Sequence, residues 1–331
     1  MRHLRALLPL TLFVLVASPI IACAQQSAKR ELLILNKAEA KMVIVDAVTL
    51  EVVGTVPTGD YPHEVAVSAD GRTAYVANYG AQVPNNSISI IDVPSRREVK
   101  RIDLGGFFRP HGILFVDGKV YFTSELSRSV ARFDPKTEKI DWVMGTGQTA
   151  THMLVITPGR EKLFTANIAS NTVTSINLKG PPNSANIKQI AVGSQPEAID
   201  ASPDGKEVWV GQNGDGKISI IDPSTDAVKE SITVGKVPIR LKFTPDGKRV
   251  LVSDADAGEL VVVDAATRKE LKRVAVGGVP VGILVQPDGK RAYIALTQLD
   301  IVKVFDLETL EFIKDLKPGD NPDGLGWAEY Q

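Results

Sequence analysis

Short apolar runs separated by polar turns cover nearly the whole chain after residue 30. Runs such as "AVAVS", "AYVAN" and "SISIID" have the length and alternation of β-strands, and no long stretch has the 3.6-residue periodicity of an amphipathic helix. Turns of the "PDG" type, as at Asp204-Gly205 and Asp246-Gly247, lie between consecutive runs. Glycine there supplies the positive φ that a tight hairpin needs. The pattern therefore predicts an all-β protein.

One phrase of strands and turns recurs along the chain. Each copy begins with one residue, called here the anchor, that precedes an apolar run. The seven anchors are Pro62, Pro110, Thr151, Pro196, Pro238, Pro280 and Pro322. Successive anchors are 48, 41, 45, 42, 42 and 42 residues apart. A period near this length, built from short strands, is typical of a four-stranded propeller blade.

The two ends of the chain complete each other. The last unit, which contains Pro322, supplies a single strand, "NPDGLGWAEYQ". Near the N-terminus, "ELLILN", "KMVIVD" and "EVVGTVPTG" match the second, third and fourth strands of a unit. We therefore predict a single domain over residues 30–331, a seven-bladed β-propeller with four-stranded blades. Its ring would be closed by a blade shared between the N- and C-termini, which removes open sheet edges.

Residues 1–24 have the layout of a secretory signal peptide. "MRHLR" supplies positive charge, "ALLPLTLFVLVASPII" is apolar, and small residues follow at "ACA". We expect export to the periplasm or cell envelope of a bacterium. Two processing routes stay open: ordinary cleavage before Gln25, or lipidation of Cys23 in the lipobox-like "IIAC". Membrane contact is expected only through such a lipid anchor. Cys23 is the single cysteine, so the mature fold has no disulfide.

The repeated phrases resemble those of a known family. "PDGKRAYIA", "ADGRTAYVANYG" and "SPDGKEVWVGQ", followed by strands like "SIIDPST" and "ITVG", resemble YVTN-type β-propeller repeats over essentially the whole mature chain. Similar proteins include YncE-like exported bacterial propellers. The resemblance implies the propeller architecture and mostly non-catalytic binding or surface roles. It does not name a function, because propellers host many unrelated ones.

Aligning the seven units places one residue of each directly after the anchor. This column, called here the mouth column, contains His63, His111, His152, Glu197, Ile239, Val281 and Asp323. Since the first strand of a propeller blade lines the central channel, we expect the column at one mouth of the channel. Three consecutive blades would carry histidine, with acids on either side and an apolar arc at Ile239 and Val281. In the next column the charged members are Glu64 and Arg240.

Several kinds of chemistry suit these residues. Imidazoles beside carboxylates can bind a divalent transition metal, which makes His63, His111 and His152 candidate metal ligands and such a metal the one candidate cofactor. Histidines and arginines can also receive an anionic group, and a histidine can act as a general base. Ligands one blade apart are unusual for zinc, however, because zinc ligands commonly come in close sequence pairs. Duplication of a strand-capping histidine by the repeat is a further alternative.

The function predicted is that of an exported binding or scaffold propeller, a monomer, for a protein partner or small-molecule ligand of unknown identity. The binding region would be the channel mouth together with the long insertions "YGAQVPNNS" and "LKGPPNSANIK". Candidate ligand-binding residues are His63, His111, His152, Glu197, Arg240, Asp323, Arg109 and Glu64. Interspersed charges with a net charge of -1 predict no nucleic-acid partner. No catalytic residue is assigned, and the alternative is a lactonase-like hydrolase, or a metal-binding propeller, that uses the mouth histidines.

Overall fold

A computed structural model describes residues 28–180 and 183–331, so the predicted signal peptide and Cys23 lie outside the described residues. The described chain forms seven antiparallel sheets of four strands each. Blade 1 joins both ends of the chain, and from the inside outward its strands are β28 (Pro322–Tyr330), β1 (Lys29–Asn36), β2 (Lys41–Asp46) and β3 (Val52–Pro57). The predicted seven-bladed propeller with a shared closing blade is thereby confirmed.

The other six blades follow one another along the chain, each with its first strand innermost. Blade 2 contains β4 (Pro62–Val67), β5 (Thr73–Asn78), β6 (Ser87–Asp92) and β7 (Arg97–Asp103). Blade 3 contains β8 (Pro110–Val116), β9 (Lys119–Ser124), β10 (Ser129–Asp134) and β11 (Lys139–Gly145). Blade 4 contains β12 (Thr151–Ile156), β13 (Lys162–Asn167), β14 (Thr172–Asn177) and β15 (Ile187–Ala191), with 3₁₀ turns at Ile168–Ser170 and Ser184–Asn186.

Blades 5 to 7 keep the same order. Blade 5 contains β16 (Pro196–Ala201), β17 (Val208–Gln212), β18 (Lys217–Asp222) and β19 (Ala227–Thr233). Blade 6 contains β20 (Pro238–Phe243), β21 (Arg249–Asp254), β22 (Glu259–Asp264) and β23 (Glu270–Ala275). Blade 7 contains β24 (Pro280–Val285), β25 (Arg291–Leu296), β26 (Ile301–Asp306) and β27 (Glu311–Leu316). In the described part of the chain, no helix is long and apolar enough to cross a membrane.

Hydrophobic packing between neighbouring blades forms the core. The middle strands are apolar on both faces because each face packs against another blade, and β5 and β21 are buried over nearly their whole length. Between blades 5 and 6, for example, the Trp209 and Phe243 rings pack with centroids 5.3 Å apart. The outermost strands, such as β7 and β19, are exposed and rich in charge. Charged outer edges discourage pairing with another chain.

Every innermost strand starts at its predicted anchor and then departs from regular pairing. In all seven blades the register between the innermost strand and the second strand shifts just after the anchor residue. The mouth column therefore lies in a β-bulge of each blade. A bulge takes a residue out of the ladder and redirects its side chain, which allows these side chains to point into the channel mouth.

Close approach of adjacent blades explains glycines just beyond the mouth column. A Cβ on Gly324 would lie 2.1 Å from the carbonyl oxygen of His63 in the next blade, and a Cβ on Gly282 would lie 2.0 Å from that of Asp323. Only glycine lets the backbones come this close. The seven mouth-column residues are consequently held in a tight ring.

Candidate functional site

The candidate site lies at the channel mouth formed by the N-terminal ends of the innermost strands, called here the upper mouth. These strands surround the channel because each contacts the innermost strand of the next blade. The loops that enter each blade and the loops between its second and third strands reach the same end. Connections between third and fourth strands leave from the opposite end, so the two long insertions are separated. Residues 79–86 lie at the upper mouth, whereas residues 178–180 and 183–186 lie at the opposite face.

The three histidines of adjacent blades are in contact. The ring centroids of His111 and His152 are 3.6 Å apart, and those of His63 and His111 are 4.8 Å apart. The Tyr79 ring lies against the rings of His63 and His111, with its centroid 4.4 Å from that of His63. His111 is almost wholly buried at 1% exposure. The predicted histidine column therefore forms one strip of packed rings across blades 2 to 4.

His152 is held between two carboxylates. Its Nδ1 donates a hydrogen bond to Glu125 Oε1, and its Nε2 lies 3.2 Å from Glu197 Oε1. The contact with Glu197 is an ion pair that lacks hydrogen-bond geometry, and Nε2 therefore has no hydrogen-bond partner among the described residues. Burial disfavours the charged imidazole, but Glu197 and Glu125 outweigh it and raise the pKa of His152 to about 9. His152 is consequently a cation at neutral pH.

The other two histidines are neutral. Burial lowers the pKa of His63 to about 4, and burial together with the charge of neighbouring His152 holds the pKa of His111 well below its usual range. His63 Nδ1 lies 3.2 Å from the carbonyl oxygen of Tyr61. Since a carbonyl only accepts, Nδ1 carries the proton and Nε2 is left as an acceptor. Among the three rings, one is charged and two are not.

Arg240 spans the channel. Its Nη1 donates to Glu197 Oε1 at 3.1 Å in the neighbouring blade 5, and its Nη2 donates to Glu64 Oε1 at 2.9 Å on the far side in blade 2. Burial raises the pKa of Glu64 despite the guanidinium. Burial also disfavours charge on Arg240, but both carboxylates outweigh it and raise the pKa of Arg240. The predicted Glu64 and Arg240 thus form part of a charged bridge across the channel.

Asp323 pairs with a residue that the sequence analysis missed. Lys37 Nζ lies 2.9 Å from Asp323 Oδ2; Asp323 is buried and Lys37 is half-buried. Burial disfavours the Asp323 carboxylate, but Lys37, His63 and Arg240 outweigh it and lower the pKa of Asp323. The acid that flanks the histidine strip is therefore ionised and internally neutralised.

Lys37 belongs to a second column, which contains the residue after the second strand of each blade. Its members are Lys37, Tyr79, Glu125, Ile168, Asn213, Ala255 and Thr297. In every blade the backbone N–H of this residue donates to the carbonyl of the residue before the anchor, over 2.9–3.2 Å. Asn213 Nδ2 also donates to Glu197 Oε2 at 2.6 Å. The same repeat register that revealed the mouth column locates this column, in "ILNK", "VANY", "FTSE" and "VGQN".

Arg109 lies beside the histidine strip but does not contact it. Its guanidinium is 4.5 Å from the Tyr79 ring centroid, and its Nη2 donates to the carbonyl oxygen of Ala81 at 3.2 Å. The Tyr79 hydroxyl in turn donates to Glu125 Oε2 at 2.5 Å. Burial and the Glu125 charge raise the pKa of Tyr79 to about 12. Arg109 therefore connects the loop surface to the channel network through Tyr79.

The apolar arc of the mouth column closes the ring on the other side. Val281 is buried in the hydrophobic cluster that contains Leu325 and Val302, and Ile239 packs against that cluster. The upper mouth is therefore polar over blades 1 to 5 and apolar over blades 6 and 7.

The histidines do not converge as metal ligands. His111 and His152 stack, and the nitrogens of His152 face carboxylates. Within residues 28–180 and 183–331, no group of three or more His, Cys, Asp or Glu side chains has a metal-binding arrangement. The divalent-metal site stays a prediction.

The larger surface cavities are away from this network. One of about 570 Å³ is lined by turn residues of blades 5 and 6, including Asp204 and Asp246. Another of about 480 Å³ is lined by residues of blades 2 to 4, including Phe115 and Arg160. Both lie at the face opposite the upper mouth, where each blade has its turn between first and second strands. The repeat itself produces these two clefts, because the turns that line them occur in each blade. The upper mouth contains buried charged side chains, and we therefore take it as the candidate site.

Comparison with known proteins identifies the class. The family model described as YNCE-like beta-propeller matches residues 118–315. The chain therefore belongs to the YncE-like β-propeller family, as the resemblance of its repeats predicted. A search of curated proteins gave no significant match.

Solved structures share the fold. A functionally unknown protein from Desulfotomaculum acetoxidans DSM 771 superposes with a TM-score of 0.76 at 13% identity, over 91% of this chain and 99% of that one. A putative 6-phosphogluconolactonase from Bacteroides fragilis NCTC 9343 gives 0.74 at 15% identity, over 92% and 99%. Kuenenia stuttgartiensis hydrazine synthase gives 0.69 at 17% identity, over 80% and 88%. At these identities the likeness concerns the fold alone.

Proposed function

We propose that this protein is an exported binding propeller that docks a protein partner on the upper mouth, at the loops of blades 2 and 3. The observation that supports this most is a set of exposed apolar side chains on three loops of the upper mouth. Val83, Phe108 and Leu126 are 76%, 39% and 57% exposed. They lie in the loop 79–86, the loop 104–109 and the loop 125–128. Exposed apolar groups that cluster on a rigid fold are typical of interaction sites.

The channel network fixes the loops that carry this surface. Tyr79 begins the first loop and Glu125 begins the third, and both side chains are tied to the histidine strip. Arg109 ends the second loop and lies on Tyr79. A surface that is ordered before binding loses less conformational entropy on association. The buried charges would therefore serve binding by holding the loops in place.

The hydrolase alternative has no comparable support from the geometry. His152 is a cation between two acids, and the Nδ1–H of His63 donates to a backbone carbonyl, which leaves Nε2 as the one acceptor nitrogen of that ring. A general base needs a neutral nitrogen within reach of a nucleophile. The proposal also includes export and a monomeric state. The N-terminus would be processed either by cleavage before Gln25 or by lipidation of Cys23.

Site-specific photocrosslinking in the producing bacterium tests the proposal. A photoreactive phenylalanine analogue is placed at Phe108, and a matched control is placed at Val48, which is 73% exposed in the turn between β2 and β3 at the opposite face. We expect one discrete protein adduct from position 108 and none of that mass from position 48. The adduct should weaken when Glu125→Gln releases the loop network. Equal labelling from both positions, or none from position 108, contradicts the proposal.

A further inference from the structure

We infer that the docking surface on blades 2 and 3 takes a short partner segment in which an acidic residue lies next to apolar residues. This inference rests on the proposed function and adds the chemical class of the partner. The surface, called here the loop patch, consists of Val83, Phe108, Leu126, Arg109 and Arg128.

The loops of this patch are joined by hydrogen bonds, which makes the patch continuous. Asn86 Nδ2 donates to the carbonyl oxygen of Gly105 at 2.8 Å, which joins the first loop to the second. Ser127 Oγ donates to the carbonyl oxygen of Gly106 at 2.6 Å, which joins the third loop to the second. The three apolar side chains are therefore displayed by one connected surface.

The charge of this patch is positive and unpaired. Neither Arg109 nor Arg128 lies within 4.0 Å of a carboxylate oxygen of the described residues, whereas arginines elsewhere, such as Arg132 and Arg268, do. Arg128 is exposed, and Arg109, which donates to the carbonyl oxygen of Ala81 and lies on the Tyr79 ring, is partly exposed.

The acids near the patch accept hydrogen bonds from residues of the mouth and its loops. Glu125 accepts from His152 and Tyr79. Asp60 accepts the backbone N–H of Ala81 at 3.2 Å, and Asp103 accepts that of Gly105 at 2.7 Å. None of these acids pairs with Arg109 or Arg128, and a carboxylate is the group that a guanidinium fork receives best.

A peptide fits these features better than a nucleic acid does. Binding to a phosphate backbone depends on a run of cations, and the loop patch offers two arginines among three apolar side chains. Arginine and aromatic residues together are typical of protein–protein hot spots. We therefore assign a protein segment as the occupant and make a nucleic acid an outcome of the test.

Selection from a random dodecapeptide display library on the mature protein provides the test. We expect enriched peptides to carry Asp or Glu beside Phe, Leu or Val. With a synthetic copy of the best peptide, fluorescence anisotropy should show at least a tenfold loss of affinity for Arg109→Glu/Arg128→Glu. A peptide with lysine in place of its acid should bind that variant better than the parent peptide does.

Two controls keep the result interpretable. Arg97→Glu/Lys139→Glu makes the same charge change at exposed positions of the outer strands β7 and β11 and should bind like the parent protein. Phe108→Ser removes apolar contact without reversing charge, and it should also weaken binding. An unchanged melting temperature shows that each variant is folded.

The outcomes separate the inference from the proposed function. Peptides that need Val83 and Leu126 but carry no acid, or ignore charge reversal, overturn the inference and leave the proposed function standing. Peptides unaffected by any patch variant overturn both. Binding of a 20-nucleotide single strand, with no peptide enriched, also overturns both.

Discussion

Replacing Arg240 by methionine tests the charged bridge across the channel. The change removes the cation that lies between Glu64 and Glu197 and leaves two carboxylates facing each other in a buried space. Breaking a buried ion pair by removing one partner costs about 3–5 kcal/mol. For a domain of roughly 300 residues the unfolding entropy is about 0.6 kcal/mol per degree, so the melting temperature should fall by about 5–8 °C. Differential scanning calorimetry at pH 7.5 measures this shift.

Two companion variants decide whether the bridge is the cause. Lys242→Met removes a cation from the partly exposed pair with Asp200, 3.4 Å apart, and should change the melting temperature by less than about 2 °C. Arg240→Met/Glu64→Gln removes one of the orphaned charges and should recover part of the loss. A single Arg240→Met variant that melts at the same temperature as the parent protein would contradict a stabilising charged bridge, and so would a double variant that is no more stable than the single one.

Three further predictions concern stability and processing. Because the folded pKa of His152, about 9, lies above the ordinary value of 6.5, its stabilisation is complete below pH 6.5 and is lost as the pH rises through 9. The free energy of unfolding in guanidinium should fall by roughly 3 kcal/mol over that range, and His152→Gln should flatten the fall; an unchanged slope would count against the two-acid clamp. Gly324→Ala should lower the free energy of unfolding by about 1–3 kcal/mol, since the added Cβ meets a carbonyl oxygen of the next blade. Gly145→Ala should leave the free energy of unfolding unchanged, because nothing lies within 4 Å of the added Cβ; equal effects of the two changes would contradict the close contact between blades. Mass spectrometry of the protein from the periplasmic fraction should find a chain that begins at Gln25 or at lipidated Cys23; an intact Met1 in the cytoplasm would contradict export.

The architecture was predictable because the repeat imposes one register on seven units. All seven predicted anchors, from Pro62 to Pro322, are the first residues of the innermost strands. A unit that cannot bury its apolar faces alone must stack against its neighbours, and the missing strands at each end must pair. The position of the mouth column followed from the same register.

The partners within the site were harder to predict. Lys37 and Glu125 look like ordinary loop residues in the sequence, and their roles arise from a fold in which the residue after the second strand lies beside the next anchor. The bulges that redirect the mouth column leave no clear mark in the hydrophobic pattern. Arg109, grouped with the histidines by its position, instead lies on the Tyr79 ring, and that contact depends on two loops that the sequence does not show to be adjacent.

The most direct test of this account is the protonation state of each imidazole. Two acids keep His152 charged, whereas His111 and His63 stay neutral. Long-range ¹H–¹⁵N correlation spectra of the mature protein, assigned with single His→Gln variants, should show one imidazolium that titrates near pH 9 and two neutral rings at pH 6. Three rings that titrate together near pH 6.5 would contradict it.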